Sequence, residues 1–246
     1  NLTFNKSYGG LMQDAKNRLG TDGSLASLTP MEYYPEARIN IPPLSTFSIR
    51  DFSSPTLITK SGPIFVDYHL NGSLSGNTKY PYNITMRFFA NNPYFTQERN
   101  ISIQESKTWD YFYDNYIGWS DGTFSKAAWE NSSGTIFTRD IAAGDNEDNT
   151  SLPINLSWIA VYNTDTGDAM GDIFLDRNQN VQQSPAISFY DDSYEYYQRK
   201  IISSSTEVSL GSSFYSKIAR SLWYGVTRSD DIDNLREQLN NPITYL

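Results

Sequence analysis

The sequence predicts an all-β fold, a large antiparallel β-sandwich with short helices at its N- and C-terminal ends. Three observations predict it. Short runs of β-branched and aromatic residues recur along the chain, several of them alternating with polar ones. Gly, Pro and Asn separate these runs at short intervals, as turns between strands require. Aromatic residues make up 15% of the chain, with 18 Tyr and 5 Trp, which suits pleated, half-buried surfaces.

The elements follow in order. Leu11, Met12, Ala15 and Leu19 share one helical face before Gly20, so residues 1–22 read as an N-terminal helical segment or tail. From residue 23 the period changes. Strands are expected at 37–41, 46–52, 63–70, 82–90 and 97–105, then at 134–141, 154–163, 170–176, 186–192, 194–202 and 205–211. Strands this closely spaced, without helices between them, argue for a sandwich or barrel rather than βαβ units. Residues 212–246 read as helical. Phe214, Ile218, Leu222 and Trp223 fall at helix spacing, and Ser229 is placed to cap a second helix carrying Ile232, Leu235 and Leu239 before Pro242. No repeat or long linker divides the 246 residues, so a single domain 1–246 is expected, with the sandwich over 23–211.

Composition narrows the function. The net charge is −9 and the basic residues are scattered, which argues against a nucleic-acid partner. No apolar run is long enough to span a bilayer, and any leader peptide is expected to have been removed. The absence of Cys excludes thiol chemistry, zinc–thiolate sites and disulfides. Asn-x-Ser/Thr sequons occur at Asn1, Asn5, Asn71, Asn83, Asn100, Asn131, Asn149 and Asn155. They point to a glycosylated protein, secreted or on the extracellular surface.

The stretch 63–90 is the most informative. Residues 71–81 are rich in turn formers and join two strands as a hairpin. Val66, Tyr68 and Leu70 on the first strand and Ile84, Met86 and Phe88 on the second make an apolar face. The other face carries Asp67, His69, Thr85 and Arg87, and a third strand adds Glu98, Asn100, Ser102 and Gln104 on one side. A sheet with one wet face carries such residues in any case, as cross-strand pairs. Alternatively, the face binds a sugar, with Asp67, His69, Arg87 and Glu98 as candidate catalytic groups.

Residues 60–103 resemble a stretch of galactose-mutarotase-like domains, the β-supersandwich modules of mutarotases, polysaccharide lyases and several glycoside hydrolases. The matching parts are the Ser-Gly-Pro at 61–63 that enters a strand, the hairpin, the second strand ending in the "FFANNP" of 88–93, and the "TQERNISI" of 96–103. Residues 156–176 resemble a later Trp-led strand pair of such domains, and 23–28 the first strand of the sandwich. The resemblance implies large antiparallel sheets and a sugar-binding face. Mutarotase chemistry is associated with a His and a Glu across the sugar ring; here only His69 and Glu98 stand as substitutes.

Two further constellations bear on function. Residues 109–129 interleave Trp109, Tyr111, Phe112, Tyr113, Trp119, Phe124 and Trp129 with Asp110, Asp114 and Asp121. Rings that cover the apolar faces of sugars, beside carboxylates that accept their hydroxyls, form a carbohydrate platform, with Trp109, Tyr111, Tyr113, Asp114, Trp119 and Asp121 as its candidates. The same rings would also serve as core. Asp165, Asp168, Asp172 and Asp176 lie in oxygen-rich segments and are candidate calcium ligands, although Val181 and Ile187 break the EF-hand pattern that starts at Asp176. No other cofactor is indicated. The reading that results is an extracellular carbohydrate-binding or accessory domain whose partner is a glycan or polysaccharide. The alternatives are a self-associating structural cell-surface protein (an S-layer, sheath or filament subunit) and a carbohydrate-active enzyme, whether hydrolase, lyase or epimerase.

Overall fold

The computed structural model describes residues 2–5, 11–17, 26–27, 31–32, 36–39, 45–48, 56–73, 78–90, 94–120, 122–131, 133–141, 148–153, 155–179, 186–191, 194–202 and 204–224. All of its regular elements are strands. In chain order they are β1 (Leu2–Asn5), β2 (Leu11–Asn17), β3 (Ala26–Ser27), β4 (Met31–Glu32), β5 (Glu36–Ile39), β6 (Ser45–Ser48) and β7 (Thr56–Ser61). Next are β8 (Phe65–Ser73), β9 (Pro81–Phe89), β10 (Tyr94–Ser102), β11 (Lys107–Ser120), β12 (Lys126–Glu130), β13 (Ile136–Asp140) and β14 (Asp148–Leu152). The last are β15 (Trp158–Tyr162), β16 (Asp168–Gln179), β17 (Ala186–Asp191), β18 (Tyr194–Ile202), β19 (Thr206–Val208) and β20 (Ser213–Tyr224).

Two large sheets form the sandwich. The first has nine strands in the order β13-β12-β15-β16-β20-β10-β9-β8-β7, every neighbouring pair antiparallel. The second has eight, ordered β14-β17-β18-β11-β5-β6 with β4 and β19 also paired to β11. A small sheet, β1-β2-β3, lies at the N-terminus of the chain.

The expected alternation holds where it was clearest. Leu70, Tyr82, Ile84, Met86 and Ile101 of the nine-stranded sheet pack on Trp109, Phe112, Ile201, Ile202 and Val208 of the other. A second core cluster joins Ile159, Val161 and Met170 to Trp119, Leu152 and Tyr197 across the same gap. The outer face of the nine-stranded sheet has two halves. Towards β12–β16 it is apolar and covered, with Trp158, Ala160, Ile173 and Ala219 buried. Towards β7–β10 it is largely polar, with Arg87, Glu98, Asn83 and Asn100 reaching solvent and Asp67 covered.

Three expectations change. Residues 213–224 are strand β20, at the middle of the nine-stranded sheet, rather than a helix. Phe214, Ile218 and Leu222 are four apart, a spacing that also keeps a strand's even positions on one face. Residues 11–17 pair with β1 as a strand, so the helical spacing of Leu11, Met12 and Ala15 does not set their structure. The aromatic-rich stretch that holds Trp109, Tyr111, Phe112 and Tyr113 is the long strand β11. Register shifts after Trp109, Phe112 and Tyr113 leave Trp109, Phe112, Asn115 and Trp119 buried, a spacing that hides a strand's period of two. The expected second C-terminal helix lies outside the described residues.

Candidate functional site

The largely polar half of the nine-stranded sheet is an ordered grid, because antiparallel register places one residue of each strand beside one of the next. One row runs Asp67, Arg87, Thr96 across β8, β9 and β10. The next runs His69, Thr85, Glu98, Lys217 from β8 to β20, with Asp176 of β16 beyond it. The third runs Asn71, Asn83, Asn100, Tyr215. With strands about 4.8 Å apart, each four-residue row spans about 14 Å.

Each row carries its own bonds. Arg87 donates from Nε to Asp67 Oδ1 and from an NH2 nitrogen to Oδ2, both at 2.7 Å, and its guanidinium lies 4.8 Å from the centre of the Phe65 ring. The Arg87 hydrogen bonds hold the Asp67 carboxyl below the usual range despite its burial. His69 Nδ1 meets Thr85 Oγ1 at 3.1 Å, while Nε2 is covered and without a partner. As it stands, the ring offers no nitrogen to a molecule on the surface. Lys217 Nζ lies 2.8 Å from a Glu98 oxygen, with both side chains more than a third exposed. In the last row Asn83 and Asn100 are exposed. Burial, with the Glu98 charge second, pushes the Tyr215 phenol up, so it stays a neutral donor at physiological pH.

The opposite face of the same sheet carries a second polar cluster, enclosed in the sandwich. Asp172 on β16 accepts Arg220 of β20 through Nε at 2.7 Å and NH2 at 2.8 Å. It also accepts Asn115 Nδ2 at 2.8 Å and the Tyr197 hydroxyl, both from the other sheet. Burial alone would raise the Asp172 carboxyl, but the Arg220 charge and these hydrogen bonds hold it below the usual range. Burial and the Asp172 charge push the Tyr197 phenol well up. The cluster has four members, all buried, and it joins the two sheets.

The sequence-derived candidates are redistributed. Asp67, His69, Arg87 and Glu98 do meet on one surface. The aromatic platform does not form as expected: Trp109 and Trp119 are fully buried in the core, where no sugar can stack on them. Tyr111 and Tyr113 are half-buried and pack on each other at 4.9 Å. Asp121 and the side chain of Asp114 lie outside the described residues.

The calcium candidates do not converge. Asp172 is committed to Arg220, Asp168 accepts Thr166 Oγ1 at 2.9 Å, Asp176 is exposed, and Asp165 sits in the β15–β16 turn. That turn is built by Asn163 Oδ1 accepting the amides of Asp165 and Thr166, with Gly167 at φ 78°. No cluster of three metal-ligating acids or histidines occurs among the described residues.

Of the sequon residues, Asn71, Asn83 and Asn100 fall in one row. Asn155 is exposed, and Asn131 Oδ1 accepts the amides of Ser133 and Thr135 in its own turn. Asn1 and the side chains of Asn5 and Asn149 lie outside the described residues. Sequence reasoning missed Lys217 and Tyr215, because 213–224 was read as helix. The alternation Tyr215, Lys217, Ala219 against Phe214, Ile218 was the available signal.

No family model matches the sequence, and no curated protein matches it. Solved structures do match by shape. An α-N-acetylgalactosaminidase from Bifidobacterium bifidum superposes with a TM-score of 0.57 at 9% identity, covering 98% of this chain and 37% of that one. A protein from Klebsiella pneumoniae provisionally named an aldose 1-epimerase gives 0.53 at 7% identity, covering 99% and 82%. A galactose mutarotase-like protein from Lactobacillus casei gives 0.49 at 7% identity, covering 90% and 96%. Two broad antiparallel sheets packed face to face, in an arrangement shared with that Klebsiella pneumoniae protein across nearly the whole chain, give this protein a galactose-mutarotase-like fold.

Proposed function

We propose that the chain is an extracellular carbohydrate-binding or accessory domain whose ligand lies along the polar rows of β8, β9, β10 and β20. The observation that carries this reading is the pair of adjacent rows His69–Thr85–Glu98–Lys217 and Asn71–Asn83–Asn100–Tyr215. They present carboxylate, ammonium, amides and a phenol on one exposed surface. Sugar hydroxyls both donate and accept, and this set offers both roles along about 14 Å. Two matched structures are named for sugar-acting proteins, and in the galactosaminidase the matched part is 37% of the chain.

Binding without turnover is the preferred form. His69, the chain's single histidine, has Nδ1 against Thr85 and Nε2 covered, and Glu98 is paired with Lys217. Neither is poised for proton transfer. Calcium has no part in the proposal, so chelation leaves binding unchanged. The test is a glycan array followed by calorimetry on the hits. Glu98→Gln and Asn100→Ala each weaken binding about tenfold, the weight of one or two hydrogen bonds. Sugar turnover that His69→Ala abolishes would replace this reading by an enzymatic one. A clean array would end it.

A further inference from the structure

Among the described residues the nine-stranded sheet ends in two edges, β7 on one side and β13 on the other. Each pairs on one side only among the described residues. Both carry large apolar side chains in the open: Leu57 (43% exposed) and Ile58 (47%) on β7, Ile136 (37%) and Phe137 (42%) on β13. Neither strand contains Pro, whose missing amide would block pairing. An exposed apolar edge is a template for another strand.

The direction of the edges selects the partner. Nine strands alternate in direction, so the two edge strands run the same way. A second copy shifted along the sheet, without being turned over, brings its β13 beside β7 of the first in a parallel pair. Register is then limited, since only even shifts keep each side chain on its own face. Leu57 and Thr59 share the core-side face with Phe137 and Arg139; Ile58 and Lys60 share the outer face with Thr138 and Asp140.

One alignment satisfies both faces. It sets Leu57 beside Phe137, Ile58 beside Thr138, Thr59 beside Arg139 and Lys60 beside Asp140. That joins apolar to apolar and cation to anion, and the Asp140 side chain is 83% exposed although it also pairs with Lys126. A two-fold pairing of β7 with β7, or of β13 with β13, brings no opposite charges together on one face.

We infer that the chain assembles with further copies of itself, β7 of one joining β13 of the next in a parallel pair that continues the nine-stranded sheet from subunit to subunit. Such an interface is heterologous and leaves an edge open at each end, so growth runs beyond a dimer. The right-handed twist of the sheet makes the product a twisted row. The sugar-facing rows lie on the face of the sheet and stay open, so assembly multiplies binding sites.

Sedimentation and light scattering across a wide concentration range, with electron microscopy of the concentrated sample, test this. The expected result is a concentration-dependent series extending past the dimer. Lys60→Glu and Asp140→Lys each set like charges side by side and weaken association about tenfold. Mixing the two variants restores it, because every junction in an alternating row is again of opposite charge. Phe137→Lys provides an independent block, and circular dichroism confirms that each variant folds. A wild-type chain that stays monomeric, a series that stops at the dimer, or a mixture no better than its components overturns the inference.

Discussion

The nine-stranded sheet carries the same ion pair twice, once on each face. Asp67–Arg87 outside and Asp172–Arg220 inside are both bidentate, with Nε to Oδ1 at 2.7 Å in each. Their surroundings differ. Arg87 is 45% exposed, while both members of the inner pair are fully buried. Geometry alone therefore says little about what an ion pair does. In the outer pair the guanidinium reaches water while the Asp67 side chain, 6% exposed, lies beneath it. The inner one has lost its hydration and depends on Asn115 and Tyr197 to complete its hydrogen bonding.

The comparison is most sharply tested by breaking the inner pair. Asp172→Asn leaves the Arg220 charge enclosed without its counter-ion and costs about 3–5 kcal/mol, measured by urea unfolding. Arg220→Met combined with Asp172→Leu removes both charges and recovers part of that loss, the remainder being the cost of leaving Asn115 and Tyr197 without their acceptor. If the single and double variants are equally damaged, the cluster's role lies in its hydrogen bonds rather than its charges.

The outer face responds in the opposite way. Glu98→Gln and Asn100→Ala lower sugar affinity about tenfold and shift the unfolding midpoint by less than about 2 °C, since exposed substitutions there cost about 0.5 kcal/mol or less. Emission from Trp109, Trp119, Trp129 and Trp158 is a poor reporter of that binding. All four are buried, so a saturating glycan leaves their spectrum unchanged while calorimetry records heat. A ligand-dependent shift assigned to Trp109 or Trp119 by substitution to Phe would return the binding surface to the 109–121 segment.

Glycan attachment sets a further contrast within the same face. Asn71, Asn83 and Asn100 are direct cross-strand neighbours, with Cα atoms about 5 Å apart. A sugar on one side chain covers the adjacent asparagine. Peptide mapping of protein from a glycosylating host is expected to find no molecule modified at both Asn83 and Asn100, while Asn155, remote from that row, is modified independently.

How much of this was legible in the sequence follows from the same physics. The strands 65–73, 81–89 and 94–102 alternate plainly because one face is core and the other water, and the site residues Asp67, His69, Arg87 and Glu98 were visible on that ground. β20 was not, because its inward face holds Ser216 and Arg220 as well as Phe214 and Ile218, which blurs apolar against polar. A polar cluster inside the sandwich thus masks the strand that carries it. The aromatic segment 109–129 stays open between core and surface platform for a related reason. Bulges along β11 shift which residues face inward, and ring content alone does not distinguish core from platform.

The smallest expected effect concerns the outer pair's response to acid. Hydrogen bonds from Arg87 lower the Asp67 carboxyl from its ordinary 3.8. A carboxyl lowered in the folded state stabilises the fold above its unfolded pKa, and that contribution is lost as pH falls through the folded value. Asp67→Asn removes it altogether. Wild type therefore exceeds the variant by a constant margin above about pH 5, and the margin closes below about pH 4. With Arg87 partly in water, solvent screening keeps the margin under about 1 kcal/mol, and raising the salt concentration shrinks it further. A margin of several kcal/mol would mean that the outer pair is enclosed like the inner one, and the face would then have no room for a sugar.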